Sequence, residues 1–271
     1  MHKVKFAKMH GLGNDYIYVD TDKYNIGDPH AFALKMSQRH YAIGSDGLVT
    51  INLNSTGRYQ MRIYNADGSE AMMCGNAIRC VGKFLYERGY VYTENLEIDT
   101  LSGVKKLQLQ VNNGVVEQVT VDMNPPVMVG ELEVIKLADA TELIGMPVSV
   151  GNPHWVSVTN APVETFPLEK YGSEVECEPR FVDRTNFEVV EIVSEHHVKM
   201  RVWERGSGIT LACGTGACAT VVALVRQGKV ASPVQVEMPG GTLQIEWSGK
   251  LTDPVYMTGE ACLAYEGTVF I

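Results

Sequence analysis

Cys74-Gly75-Asn76-Ala77-Ile78-Arg79 and Cys213-Gly214-Thr215-Gly216-Ala217-Cys218 open two segments of one design, a cysteine and a glycine leading into an apolar run that closes at another glycine. The cysteines lie 139 positions apart, and so do the closing glycines, Gly89 and Gly228. At that offset, without a gap, Tyr64-Asn65 falls on Trp203-Glu204, Leu85 on Leu224 and Gly47 on Asn186; upstream, Gly13-Asn14 falls on Gly151-Asn152 at an offset of 138. A near-constant offset at separate places reads as an internal duplication, with one cysteine at the same point of each half. In a chain of 271 residues this yields two similar domains, each large enough for a core of its own, and two facing domains make a cleft.

Around the cysteines the pattern alternates between strands and helices, a mixed α/β (α+β) composition. Ala77, Ile78, Val81, Phe84 and Leu85 keep helical spacing up to Arg88-Gly89, and Ala217, Val221, Leu224 and Val225 repeat it. Each helix turns one face to a core, and each cysteine sits at a helix N-terminus. In the first half, residues 3 to 20 read as strand interrupted at Gly11-Leu12-Gly13-Asn14-Asp15, and Asp28-Pro29 caps a helix running to about His40. Strands are expected at 48–53, 59–64, 95–100, 104–111 and 115–123. In the second half they are expected at 148–158, broken by Gly151-Asn152-Pro153-His154, and at 186–193, 197–203, 234–238 and 242–247. Residues 160–180 show no clear period. Strands 255–258 and 262–270 are surplus to the repeat and free to cross back to the first domain. With Asn124-Pro125-Pro126 as linker, the domains are 1–123 plus 260–271, and 124–259.

Charged residues sum to −9 with no Lys/Arg block, which argues against an electrostatic grip on nucleic acid. The start of the chain lacks the apolar core of a signal peptide, and the longest aliphatic run, Val221 to Val225, is far too short to span a bilayer. The expectation is a cytoplasmic protein with no membrane partner. Six cysteines in a chain of this length are expected to be free thiols, with Cys80, Cys177, Cys218 and Cys262 as packing residues. A metal-binding reading of Cys74/Cys80 and Cys213/Cys218 lacks the usual C-x-x-C spacing and a joining histidine, so no metal is expected.

A cysteine at a helix N-terminus lies among unpaired N–H groups at the positive end of the helix dipole, which favours the thiolate. Gly75, Gly214 and Gly216 let a carboxylate approach those N–H groups. Two such ends about one ligand suit inversion at a carbon: one thiolate removes a proton from one face while a thiol delivers another to the opposite face.

His10-Gly11-Leu12-Gly13-Asn14-Asp15, Asn65-Ala66-Asp67-Gly68-Ser69-Glu70 running to Cys74-Gly75-Asn76, Gly151-Asn152-Pro153-His154, Glu204-Arg205-Gly206 and Ala212-Cys213-Gly214-Thr215-Gly216-Ala217 together resemble the diaminopimelate epimerase family, in order and over nearly the whole chain. The resemblance implies two pseudo-symmetric domains, each a sheet wrapped round a central helix. It implies cofactor-independent, two-base epimerisation of LL-2,6-diaminopimelate to the meso isomer, a step toward lysine and peptidoglycan precursors. It further implies Cys74 and Cys213 as the catalytic pair, and Gly75-Asn76 and Gly214-Thr215 as carboxylate clamps. Asn14, Asn65, Asn152, Asn186, Glu204 and Arg205 are then substrate contacts, and His154 and Glu204 tune the thiols. Tyr265 falls where the family has a tyrosine at its dimer interface, which implies a homodimer. Some family members carry a glutamine where this chain has Gly47, so that contact is expected to be absent or to come from Asp46 or the backbone.

Blander readings stand beside these. Asn14, Asn65 and Asn152 lie in turns where asparagine serves local hydrogen bonding, His154 could cap a turn, and Arg205 could be a solvated charge. A proline or hydroxyproline racemase-like isomerase is the alternative enzyme. Its single-carboxylate substrate would have no use for Arg205 and three asparagines.

Overall fold

The computed structural model describes residues 2–271. The chain builds β1 (Lys3–Gly11), β2 (Asn14–Asp20), α1 (Pro29–Met36), β3 (Gly47–Leu53), β4 (Tyr59–Asn65), β5 (Glu70–Ala71), α2 (Gly75–Glu87), β6 (Asn95–Thr100), β7 (Gly103–Asn112) and β8 (Val115–Asp122). It continues through β9 (Val127–Met128), β10 (Glu133–Lys136), β11 (Glu142–Ser149), β12 (Pro153–Val158), α3 (Leu168–Glu176), β13 (Asn186–Ser194), β14 (His197–Glu204), β15 (Gly208–Thr210), α4 (Gly214–Arg226), β16 (Val234–Met238), β17 (Gly241–Glu246) and β18 (Tyr256–Gly259), and ends with β19 (Cys262–Phe270). Residues 1–121 with 259–271 form one compact unit and residues 122–258 a second.

The duplication is explicit in the strand pairing. In the first unit the order is β19-β1-β2-β3-β4-β6-β7-β8, antiparallel throughout except for β2/β3 and β4/β6. In the second it is β10-β11-β12-β13-β14-β16-β17-β18, with the same two parallel pairs at β12/β13 and β14/β16. The short β5 and β15 sit beside β4 and β14, just ahead of each cysteine. Strand β18 is therefore the second unit's counterpart of β8 and no surplus to the repeat. The final strand, β19, stands on β1 where β10 stands on β11.

Each unit wraps its sheet round one helix: α2 packs on β1, β2 and β7, and α4 on β11, β12, β13 and β17. The expectation of a single buried face was too modest. Helix α2 is buried at every residue from Gly75 to Leu85, and α4 at every residue from Gly216 to Leu224. Full burial of Ile78, Val81, Val221, Val222 and Leu224 stabilises the units by about 1.5–3 kcal/mol for each side chain. Two charged groups inside α2 are satisfied in place. Lys83 donates to Glu87 and the Val116 carbonyl, and Arg79 to carbonyl oxygens of Gly75 and Glu260.

Two further expectations are corrected, and the passage between the units is located. Helix α1 opens as read, with Asp28 accepting from the His30 N–H and Pro29 at its first turn, but it stops at Met36 rather than His40, where Ser37 returns its N–H to Ala33. Residues 160–180 contain a 3-10 turn at Val163–Thr165 and then α3, the counterpart of α1. Its N-cap is Pro167, with no side-chain cap, and Gly172 lies mid-helix because a Cβ there would sit 2.3 Å from the Trp203 ring. Met123 and Asn124 already pair with Val255 inside the second unit, so the passage between units falls at Val121/Asp122, ahead of the prolines. Among the described residues no helix is long and apolar enough to cross a membrane.

Candidate active site

Both candidate cysteines occupy the N-cap of the central helix of their unit, with extended backbone (φ −139°, ψ 121° for Cys74; φ −129°, ψ 113° for Cys213) and no side-chain capping bond. Each carbonyl accepts from the residue four on, Ile78 or Ala217, while N–H groups of the first turn lie outside that ladder. Neither cysteine is in a disulfide.

In the first unit, half-buried Cys74 donates through Sγ to Asn14 Oδ1 at 3.3 Å. Asn14 is held by its other end: Nδ2 donates to Asp46 Oδ2 at 2.9 Å, and the same oxygen accepts the Asp15 N–H. Asp46 Oδ1 takes Arg39, so both its oxygens are committed to ordering the Asn14 loop. Asp15 adds a partly buried pair with Lys8 at 2.5 Å and with Arg39 at 2.9 Å. Burial alone would raise the Asp15 carboxyl, but bonds and charge from Arg39 and Lys8 outweigh it and hold it below the usual range. Asn76, 3% exposed, accepts from Arg79 Nη2 at 2.8 Å through Oδ1. Asn65 Nδ2 donates within its own turn to Ser69 Oγ.

Gly47 opens β3 opposite Asn65, and a Cβ built there would lie 2.2 Å from the Tyr64 carbonyl oxygen. No side chain fits, so a glutamine contact from this position is absent, and Asp46 is occupied elsewhere.

In the second unit, Cys213 is 5% exposed, with Thr215 Oγ1 3.5 Å from its Sγ. The pull of the helix end toward a thiolate is outweighed here. Burial first, then the negative charges of Glu204 and Glu188, push the thiol well above its ordinary range, against smaller opposing bonds from Thr215 and the Gly216 N–H. Glu204 ends β14 and accepts from Thr210 Oγ1 at 2.5 Å. His154 is 1% exposed and lies in β12 rather than capping a turn; its Nδ1 meets Glu188 Oε1 at 2.7 Å and its Nε2 meets Asn152 Oδ1 at 3.0 Å. Asn186, buried, gives Nδ2 to the Pro153 carbonyl and accepts the Arg205 N–H, tying the start of β13 to the end of β14. Arg205 is exposed and reaches the Asp183 carbonyl at 2.7 Å. On β19, Tyr265 is 47% exposed and packs edge-on against Phe6.

Of the other cysteines, Cys80 and Cys218 are buried, and burial takes the Cys80 thiol up to about 12. Cys177 is exposed at the end of α3 and is no packing residue. Among the described residues, no three His, Cys, Asp or Glu side chains cluster as a metal site requires.

Two residues at these sites escaped the sequence reading. Arg79, 0% exposed, backs the first turn of α2, and Glu188, 0% exposed, lies beside His154. A charged residue at a core-facing position of each element was the available signal.

Comparison with known proteins agrees with this architecture. Solved structures of like fold include a PhzF-family phenazine biosynthesis protein from Bacillus anthracis (TM-score 0.77, 16% identity, all of both chains) and a hydroxyproline epimerase from Agrobacterium vitis (TM-score 0.71, 15% identity, 99% of this chain and 91% of that one). At such identity they speak for the fold alone. Sequence relatives are much nearer. A diaminopimelate epimerase of Parabacteroides distasonis is 48% identical over 266 residues, 98% of each chain, and one of Methanococcus maripaludis is 46% identical over 280 residues, covering 99% of this chain and all of the relative. The family model for diaminopimelate epimerase matches residues 6–129 and 146–264, taking in both cysteine-capped helices and the strands that lead to them, and so the chain belongs to the diaminopimelate epimerase family.

Proposed function

We propose that this chain epimerises LL-2,6-diaminopimelate to meso-diaminopimelate without a cofactor, an isomerase step in lysine and peptidoglycan precursor synthesis. The observation that carries the reading is the pair of cysteines at the N-caps of equivalent helices in the two repeats. One thiolate takes the α-proton and the other thiol returns a proton to the opposite face. The N–H groups of Gly75-Asn76 and Gly214-Thr215 hold the α-carboxylate and stabilise charge that moves onto it as the proton leaves. Asn14 is hydrogen-bonded to Cys74, and His154 and Glu204 tune the two thiols.

Asn65, Asn152, Asn186, Glu204 and Arg205 serve the substrate's two amino-acid ends. Arg205 suits the distal carboxylate, because a guanidinium grips a carboxylate in two places. Arg205 supports this by being exposed, with its main-chain N–H held by Asn186. The enzyme works in the cytoplasm as a homodimer. Exposed Leu263, Tyr265 and Phe270 along β19 support an interface there.

Purified protein offered LL-diaminopimelate, L-proline and trans-4-hydroxy-L-proline in parallel should form meso-diaminopimelate and leave the cyclic amino acids unchanged. Turnover of proline or hydroxyproline in place of diaminopimelate would move the chain to the racemase reading.

A further inference from the structure

Glu188 is a buried carboxyl with one oxygen unspoken for. It lies on β13, level with Val156 of β12 and Val202 of β14, and its side chain is 0% exposed. Oε1 meets His154 Nδ1 at 2.7 Å, while Oε2 is buried without a hydrogen-bond partner. Buried carboxylates are ordinarily paired at both oxygens, and an orphan of this kind points to a role other than packing.

Its neighbour across the first turn of α4 is the cysteine. A Cβ added to Gly216 would lie 2.6 Å from Glu188 Oε1 and 3.3 Å from Cys213 Cβ, so carboxyl and cysteine flank the same empty position with no side chain between them. The titratable groups that face Glu188 are His154 from β12, Glu204 from β14 and the Cys213 thiol from the N-cap of α4; burial raises the Glu188 carboxyl above its ordinary range, with the charge and hydrogen bond of His154 pulling the other way toward the carboxylate.

We propose that Glu188 is a positioning residue of the Cys213 half-site: its carboxylate, set across the Gly216 gap and fixed by His154, keeps the Cys213 thiol protonated, so that Cys213 enters the reaction as the proton donor. This rests on the epimerase reading. In each turnover the S–H bond of Cys213 breaks as the new Cα–H bond forms, leaving a thiolate, while the opposite thiolate gains the proton taken from substrate. Protons balance, with none lost. The direction in which the Cys213 thiol is moved agrees, since the Glu188 charge is among its causes after burial and Glu204.

The test is Glu188→Gln in the full-length protein, a change that keeps size and the bond to His154 while removing the charge. Cysteine labelled with 13C at Cβ is titrated by NMR, the Cys213 resonance being identified by its loss in Cys213→Ala. The Cys213 midpoint should fall by about one pH unit or more, as expected for a unit charge removed at this range. In the variant kcat should fall, with KM changed by less than about twofold, as for an interaction made only during the chemical step. An unmoved Cys213 midpoint overturns the proposal. Because the titration needs no substrate, it stands apart from the epimerase reading, which fails separately if wild-type protein does not convert diaminopimelate. Should Glu188→Gln not fold, the same experiment on wild-type protein labelled at the glutamate carboxyl carbon decides. Mutual inflections in the Glu188 and Cys213 curves support the coupling, and independent curves overturn it.

Discussion

Gly47→Ala probes the packing at the start of β3, opposite Asn65. A methyl carbon there would sit 2.2 Å from the Tyr64 carbonyl oxygen and 3.0 Å from both Asn65 Cα and Tyr16 Cε1. Nonbonded heavy atoms settle roughly 3.5 Å or more apart, so something must move by more than about 1 Å. The nearest obstacle is main chain of β4, paired to β3 along its length, and it cannot swing aside as a side-chain tip can. Overpacking of this kind costs about 1–3 kcal/mol, and a backbone obstacle puts it at the upper end. For a chain of this size, about 3 kcal/mol lowers the melting temperature by about 6–12 °C. Scanning calorimetry of Gly47→Ala should show that drop, and Gly47→Gln should drop further without any gain in substrate affinity. A Gly47→Ala melting temperature within about 1 °C of wild type would refute the packing argument.

Other predictions concern the thiols and the buried charges. Cys74→Ala and Cys213→Ala should each abolish epimerisation while circular dichroism and the melting curve stay near wild type; full activity in either variant would remove that cysteine from the chemistry. Asp15→Asn should destabilise the protein at neutral pH by about 3 kcal/mol, because it leaves buried Lys8 without its carboxylate. Asp15 has a depressed folded pKa, so its contribution is present above the unfolded carboxyl value of about 3.9 and is lost as pH falls through the folded value. The gap between Asp15→Asn and wild type in urea midpoint should therefore close below about pH 4, and a gap independent of pH would count against the pair. Arg79→Met should cost at least about 2 kcal/mol, since Gly75 and Glu260 carbonyls and Asn76 Oδ1 lose their donor; urea unfolding with an unchanged midpoint would contradict this.

Much of this architecture is written in the 139-residue offset, because a duplication lets each half be read against the other. Helices α2 and α4 start and stop at that offset, Gly75 to Gly214 and Glu87 to Arg226. Helix α3 could have been found the same way, since Pro29 falls on Leu168; read by itself it lacks a capping side chain and carries a mid-helix glycine. Strand β18 was read as surplus although β8 falls on it at the same offset; its alternation alone does not show that it pairs with β17. At the site, residue type and spacing located the cysteines, since N-capping is local. The partners of those residues were not legible. The fixing of Asn14 by Asp46 spans 32 positions and the meeting of His154 with Glu188 spans 34, and only the folded sheet brings them together. Nor could periodicity show that Cys213 is pushed toward the thiol, because that depends on how deeply the helix end is buried and on carboxylates from two strands.

The proposal that two thiols serve one α-carbon from opposite faces is tested by the origin of the product's hydrogen. LL-diaminopimelate is converted in heavy water to a few per cent of reaction, and product and remaining substrate are separated and analysed by mass spectrometry. The account predicts meso product carrying one deuterium at the inverted carbon and unreacted LL substrate carrying none, because the donor thiol exchanges with solvent while the acceptor takes the substrate proton away. Product that retains the original α-hydrogen would show a single base returning the proton it removed, and would contradict the account.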